Sequence, residues 1–136
     1  MAARGSLSYQ ITVNVDDERF MNPESMIAEV VDAASKAGNP PRTVGDIVQC
    51  VYRSLAEAYA DTIANLTAIT GRNFSTIHIV GGGCQDRYLN TLTAEATGLN
   101  VVVGPVEATA TGNLIVQMMA AGEFESLEEA RKAILA

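Results

Sequence analysis

A short apolar run that ends in three consecutive glycines constrains this chain more than any other feature. The run Ile77-His78-Ile79-Val80 has the length of a buried strand, and Gly81-Gly82-Gly83 follows it directly. The next segment has helical spacing up to Gly98, and a second apolar run, 99–103, comes after it. Residues 77–103 are therefore predicted to form a strand–helix–strand unit with two parallel strands covered on both faces.

The three glycines have two interpretations. Without side chains, Gly81, Gly82 and Gly83 let a ligand approach the backbone closely, and a helix that starts directly after them would offer N–H groups and partial positive charge to an anion such as phosphate. Glycines between a strand and a helix also serve simply to pack the two elements tightly. The turn has neither a Walker-type Gly-Lys-Ser nor a GxGxxG pattern, so its sequence does not decide between the two.

A second loop is predicted to lie beside the glycine turn. Open α/β sheets bind ligands beyond the carboxyl ends of their parallel strands, where successive loops meet. The segment 104–113 follows the second strand and carries the carboxylate of Glu107 and the hydroxyls of Thr109 and Thr111. The two loops together predict a binding wall for a flat, partly polar ligand such as a nucleoside. For Asp86 and Glu107, surface and capping roles are favoured over a pair of catalytic carboxylates.

The first half of the chain predicts one strand and two helices. Residues 7–15 alternate with period two, which predicts a strand or extended arm whose apolar face needs a partner that the sequence before the glycine turn does not supply. Asn22, as the N-cap, and Pro23 would start the first helix. Thr43 and Asp46 are spaced like a capping box, and the longest helix is expected to run from there to Thr70.

Composition excludes several kinds of partner and site. The formal net charge of −7 and the lack of any Lys/Arg cluster argue against nucleic acid and anionic membranes. No apolar run reaches the roughly 18 residues of a membrane span. His78, the only histidine, is interpreted as a strand-face or core residue rather than a catalytic base. Cys50 and Cys84 are interpreted as reduced thiols of a cytoplasmic protein, and no ligand cluster predicts a metal site.

The residues of the two loops closely resemble a known family. The segments His78-Ile79-Val80-Gly81-Gly82-Gly83-Cys84-Gln85 and Gly104-Pro105-Val106-Glu107-Ala108-Thr109 resemble the C-terminal part of rhamnulokinases, a branch of the FGGY carbohydrate kinases in the actin-like ATPase superfamily. The resemblance extends over residues 11–120. It implies an α/β fold, namely a partial ribonuclease H-like (actin-like ATPase) domain in which long helices pack on a small parallel sheet.

The resemblance also implies an activity and a set of site residues. Members of the family transfer the γ-phosphoryl group of ATP, with Mg²⁺, to the 1-hydroxyl of L-rhamnulose in a cleft between two domains. By this resemblance Gly81, Gly82 and Gly83 line the adenine–ribose side of the ATP site, with Gly82 the foremost candidate. Gln85 and Glu107 are expected to flank the nucleotide.

Residues 1–136 are expected to form a single, incomplete C-terminal (nucleotide-binding) domain of such an enzyme. The sugar-binding N-terminal domain and the catalytic aspartate of the family do not map onto this sequence. The chain is therefore expected to contain no catalytic residue, to be inactive alone, to depend on the missing domain for L-rhamnulose, and to self-associate through exposed sheet edges. The alternatives are a fragment of another FGGY sugar kinase, a stand-alone nucleotide- or partner-binding module, and a structural domain in which the glycines only pack a helix.

Overall fold

The computed structural model describes residues 9–135 as a mixture of helices and strands. In chain order the elements are α1 (Met26–Lys36), α2 (Val44–Thr70), β1 (Thr76–Ile79), α3 (Arg87–Thr97), β2 (Asn100–Val103), α4 (Ala108–Ala120) and α5 (Leu127–Leu135), with short 3-10 turns at Glu18–Phe20 and Gly82–Gln85. This order and the small parallel sheet confirm the predicted α/β class.

The described chain divides into two compact units. The first contains the described residues up to Ile77 together with Arg87–Val101, and it includes α1, α2 and α3. The second contains His78–Asp86 together with the described residues from Val102 onward, and it includes α4 and α5. Both loops that the sequence singles out belong to the second unit.

The predicted strand–helix–strand unit is confirmed. Strands β1 and β2 pair in parallel, and backbone hydrogen bonds continue past both ends, from the Asn100 N–H to the Ser75 carbonyl (3.1 Å) and from the Gly104 N–H to the Ile79 carbonyl (2.8 Å). The prediction that both faces of the sheet are covered is wrong, since Val102 and Val103 are 42% and 54% exposed. A sheet of two strands has too few neighbours among the described residues to bury them.

Helix α2 has the boundaries that its sequence predicts. The Asp46 N–H donates to Thr43 Oγ1 (3.1 Å) and the Thr43 N–H donates to Asp46 Oδ2 (3.0 Å), which is the expected capping box. The helix runs 27 residues to Thr70 and ends at Gly71, where the left-handed φ of 66° suits glycine. It packs against α1 and α3 within the first unit.

The carboxylate of Asp46 makes the stability of this helix start depend on pH. Hydrogen bonds from the N–H groups of Arg42 (2.9 Å) and Thr43 (3.0 Å) hold the pKa of the buried Asp46 below its ordinary value. Because the pKa is lower in the folded state, the carboxylate stabilises the fold above the unfolded-state pKa of about 3.9, and this contribution disappears as the pH falls through the folded-state pKa.

Asp46→Asn should therefore be less stable than the wild type at neutral pH, and the difference should shrink as the pH falls below about 4. Urea unfolding at a series of pH values measures both effects. Asp61→Asn, which changes an exposed carboxylate of the same helix, should leave stability at neutral pH unchanged. A stability difference between Asp46→Asn and the wild type that stays constant down to low pH would contradict this account.

The predicted start of α1 is wrong by three residues. Ser25, not Asn22, is the N-cap, and its Oγ accepts a hydrogen bond from the Ala28 N–H (3.3 Å). Serine is as good a cap as asparagine, and the preceding segment is already used in the 3-10 turn Glu18–Phe20, which Asp17 caps. Helix α1 therefore begins at Met26.

Of the two alternatives predicted for residues 7–15, a strand or an extended arm, the strand does not form within the described residues, and residues 7 and 8 lie outside them. Residues 9–14 have no regular secondary structure. The apolar side chains of this segment instead complete the core of the first unit. Buried Tyr9 packs there with the buried residues of α1 and α2, which are Val30, Ala34 and Cys50. Partly buried residues, among them Ile11, Val13 and Phe20, pack against this cluster. The prediction that the sequence before the glycine turn supplies no partner for this face is also wrong, because α1 and α2 cover it.

Two hydrogen bonds tie the segment to the rest of the first unit. The Val13 N–H donates to Ser54 Oγ on α2 (2.9 Å), and the Tyr9 hydroxyl donates to the Asn39 carbonyl. Burial, followed by the electrostatic effects of Cys50 and Asp46, raises the pKa of the Tyr9 phenol. The hydroxyl of Ser54 on α2 thus accepts the hydrogen bond from the Val13 N–H that, in a sheet, a neighbouring strand would accept.

In the second unit α4 and α5 pack against each other. Ile115 and Ala130 are their buried residues. Ser126 Oγ accepts a hydrogen bond from the Glu129 N–H (3.1 Å), while the Glu129 carboxylate accepts one from the Glu125 N–H (2.9 Å). Within residues 9–135, no helix combines the length and the apolar character needed to cross a bilayer.

Candidate functional site

Gly81 has a backbone conformation that only glycine adopts readily. Its φ is 85° and its ψ is −177°, a region that residues with a Cβ avoid. The Gly81 N–H donates to the Pro105 carbonyl (3.1 Å), and the Gly81 carbonyl accepts from the Cys84 N–H (3.1 Å). Glycine at position 81 is therefore needed to form the turn itself.

Gly82 and Gly83 differ from Gly81 in backbone conformation. Neither has a positive φ, and a Cβ built on either would meet no other atom of the chain within 4 Å. Both residues are exposed. Tight packing of a strand against a helix therefore does not account for these two glycines, and the space over them is open to a ligand.

The helix N-terminus expected directly after the glycines is not there. Gly82–Gln85 forms a 3-10 turn, in which the Asp86 N–H donates to the Gly83 carbonyl (3.1 Å), and α3 starts only at Arg87. The tight turn follows from the conformation of Gly81 and buries Cys84 beneath it. Any ligand over this turn would meet the turn backbone rather than the axis of a long helix.

The two loops lie side by side, as predicted. The hydrogen bond from the Gly81 N–H to the Pro105 carbonyl joins them directly. The buried Cys84 thiol donates to the Gly104 carbonyl with an Sγ–O distance of 3.6 Å. A Cβ at Gly104 would lie 2.7 Å from Val80 Cγ1, so a larger residue here would have to move the Val80 side chain.

The two polar candidates, Gln85 and Glu107, are exposed. Glu107 occupies the N-cap position of α4, where its carbonyl accepts from the Thr111 N–H (3.0 Å). Its side chain makes no capping hydrogen bond, so of the two roles favoured for Glu107 the structure agrees with the surface role and not with the capping role. The carboxylate is therefore available to bind a group beyond the helix end.

A groove of about 550 Å³ adjoins the second loop within the same unit. Gly104 and Pro105 contribute to it, most of its other lining residues are apolar, and its polar members are His78, Thr111 and Arg131. The five candidate residues of the two loops do not line it. His78 lies exposed on β1, which agrees with a strand-face histidine. No signal in the sequence points to Arg131, because its place depends on how α5 packs.

The first unit has two polar grooves that the sequence did not predict. They measure about 520 and 450 Å³ and share Thr12, Glu57 and Asp61. Arg53 lines the larger one, and its Nε is buried without a hydrogen-bond partner, as is Gln49 Oε1 one turn earlier on α2. No group of three or more Asp, Glu, His or Cys side chains within residues 9–135 is arranged to hold a metal ion.

Comparison with known proteins identifies the class to which this fold and this pair of loops belong. Residues 11–121 match the FGGY family of carbohydrate kinases, C-terminal domain. Because the match covers most of the sequence, the chain belongs to this kinase family.

Curated relatives place the chain near one branch of the family, as the resemblance predicted. It is 43% identical to the rhamnulokinase of Halalkalibacterium halodurans over 129 residues, which are 94% of this chain and 28% of that protein. It is 42% identical to the rhamnulokinase of Bacillus subtilis (97% and 27%) and 40% identical to that of an Enterobacter species (92% and 26%). The chain therefore spans little more than a quarter of the length of these relatives.

Proposed function

We propose that this chain is part of the nucleotide-binding domain of a cytoplasmic, ATP-dependent carbohydrate kinase that phosphorylates L-rhamnulose at O1. The observation that carries the proposal is the family match over residues 11–121, joined to 40–43% identity with rhamnulokinases. Residues 1–136 would form a single, incomplete C-terminal domain. This agrees with the length comparison, in which the chain spans little more than a quarter of its relatives.

In this proposal the two loops form the adenosine end of the ATP site. The open surface over Gly82 and Gly83 accommodates the flat adenine and ribose, and Gly81 sets the turn that presents them. Gln85 and Glu107 flank the nucleoside. The carboxylate of Glu107, which caps nothing in its own helix, suits ribose hydroxyl donors.

The remaining parts of phosphoryl transfer are assigned to sequence outside this chain. The reaction requires a positioned base, bound Mg²⁺ and groups that clamp the phosphates, and ATP supplies the transferred γ-phosphoryl group when it is bound. Residues 9–135 present no three-ligand metal cluster, and in this proposal Mg²⁺ is held by groups outside them. The sugar would be bound by the missing domain, and the open edges of β1 and β2 would favour self-association when the chain is alone.

Nucleotide titration followed by amide NMR tests the site. ATP should bind weakly, with Kd near or above about 1 mM, because only one wall of its site is present. The shifts should be confined to Gly81–Gly83, Gln85 and Glu107. Gly82→Val should abolish them without unfolding the chain, since its Cβ meets no atom within 4 Å. Ala120→Val, at an exposed position of α4, is the matched control and should bind as the wild type does.

Two results would contradict the proposal that the two loops form only the adenosine end of the ATP site. Micromolar affinity for ATP would show that the phosphate-binding half is not needed. Nucleotide-dependent shifts confined to the grooves of the first unit would move the site away from the glycine turn.

An activity assay tests the assignment of catalysis to missing sequence. The chain alone should show no formation of ADP with L-rhamnulose and ATP in a coupled assay. Turnover that Gly82→Val abolishes would show that the catalytic groups are in these 136 residues after all.

A further inference from the structure

We infer that Gly104 is a positioning residue, which fixes how closely the loop 104–107 lies to the glycine turn 81–83. The inference rests on the proposed function, because it concerns the spacing of the two loops that are assigned to the nucleoside. It adds to that assignment a residue that would not itself touch the nucleotide.

The first observation is the contact between Gly104 and the residue that follows β1. A Cβ at Gly104 would lie 2.7 Å from Val80 Cγ1, whereas carbon atoms in contact prefer about 3.5–4.0 Å. The Ile79 carbonyl would lie at an ordinary 3.5 Å. Gly104 also has no positive φ, so its backbone alone does not require glycine. The Val80 side chain is therefore the group that a methyl at this position would meet.

The second observation is that backbone hydrogen bonds lie on both sides of this contact. The Gly104 N–H donates to the Ile79 carbonyl (2.8 Å), and the Gly81 N–H donates to the Pro105 carbonyl (3.1 Å). Val80 lies between Ile79 and Gly81 in the chain. The two bonds thus hold the loops together immediately before and after the residue that touches Gly104.

These contacts determine the distance between the open glycines and the free carboxylate. Gly82 and Gly83 follow Val80 by two and three residues, and Glu107 follows Gly104 by three. A methyl group at Gly104 must turn the Val80 side chain, which is 51% exposed, or lengthen the hydrogen bond between Gly81 and Pro105. Binding groups tolerate displacements of only about 0.5 Å, so a ligand held by both loops should lose affinity.

A double-mutant cycle tests this inference on the full chain. We compare the effect of Gly104→Ala in the wild type with its effect in the Val80→Ala background, where the obstructing Cγ1 is absent. The readouts are the affinity for ADP by NMR titration and the hydrogen-exchange rate of the Gly81 amide. Val116→Ala, at a 65% exposed position of α4, is the control for loss of valine methyl groups.

In the wild type, Gly104→Ala should weaken ADP binding about tenfold and speed hydrogen exchange of the Gly81 amide about tenfold. In the Val80→Ala background, each of these two effects of Gly104→Ala should fall below about threefold. Equal effects in the two backgrounds would overturn the inference, as would unchanged Gly81 exchange in a chain that binds ADP. If no ADP binding is seen but the exchange effect appears and is rescued, the positioning role is supported and the proposed function fails.

Discussion

Gly81→Ala should destabilise the second unit by about 1–3 kcal/mol, whereas Gly82→Ala one residue later should change its stability little. The backbone of Gly81, with φ of 85° and ψ of −177°, is strained for any residue with a Cβ. Gly82 has no positive φ, and a Cβ there meets open space. Urea unfolding of the two variants, together with exchange of the Gly81 amide, measures the difference.

The pair separates two reasons for a run of glycines. If Gly81 sets the turn, only Gly81→Ala should release the hydrogen bond to the Pro105 carbonyl. Comparable losses of stability in both variants would mean that the whole run is needed for folding. Glycine at position 82 would then be explained by folding, and it would no longer support a ligand site over this residue.

Ser54→Ala should destabilise the first unit by about 1–3 kcal/mol, because it leaves the Val13 N–H without its acceptor. Ser54 is only 1% exposed; its Oγ accepts from the Val13 N–H (2.9 Å) and donates to the Cys50 carbonyl (2.6 Å). The segment 9–15 should detach from α2, which faster hydrogen exchange at Val13 would reveal. Urea unfolding gives the loss of stability.

Thr62→Ala on the same helix is the matched control. The Thr62 hydroxyl donates to the Ala58 carbonyl (2.8 Å) much as Ser54 does to Cys50, but Thr62 is exposed and accepts nothing from residues 9–15. Its removal should change stability by less than about 0.5 kcal/mol. Equal losses in the two variants would mean that the bond within the helix, not the bond to Val13, carries the effect of Ser54.

Local signals in the sequence predicted the elements that local contacts determine. The capping box of Thr43 and Asp46 and the terminal Gly71 are short-range features, and α2 begins and ends where they indicate. The glycine run likewise placed the end of β1 to within one residue. The position of Gly104–Glu107 beside it followed from the general geometry of parallel strands.

The failures concern features that depend on distant residues. Alternation at Ile11 and Val13 shows that the segment has an apolar face, but it does not show that helices rather than strands cover that face. Similarly, three identical glycines do not reveal that only Gly81 needs a left-handed φ, since that conformation is tied to the hydrogen bond with Pro105. The groove that includes Arg131 depends on the packing of α5, which no local pattern encodes.

The exposed valines of β2 have a practical consequence for anyone who produces this chain. Val102 and Val103 are adjacent β-branched residues at the end of a strand that, among the described residues, has a neighbour on one side only. An exposed apolar strand with a free edge favours pairing between copies of the chain at high concentration. A charged substitution such as Val103→Lys is therefore the first to try for a less aggregation-prone sample. Natural edge strands use lysine in this way against edge-to-edge pairing.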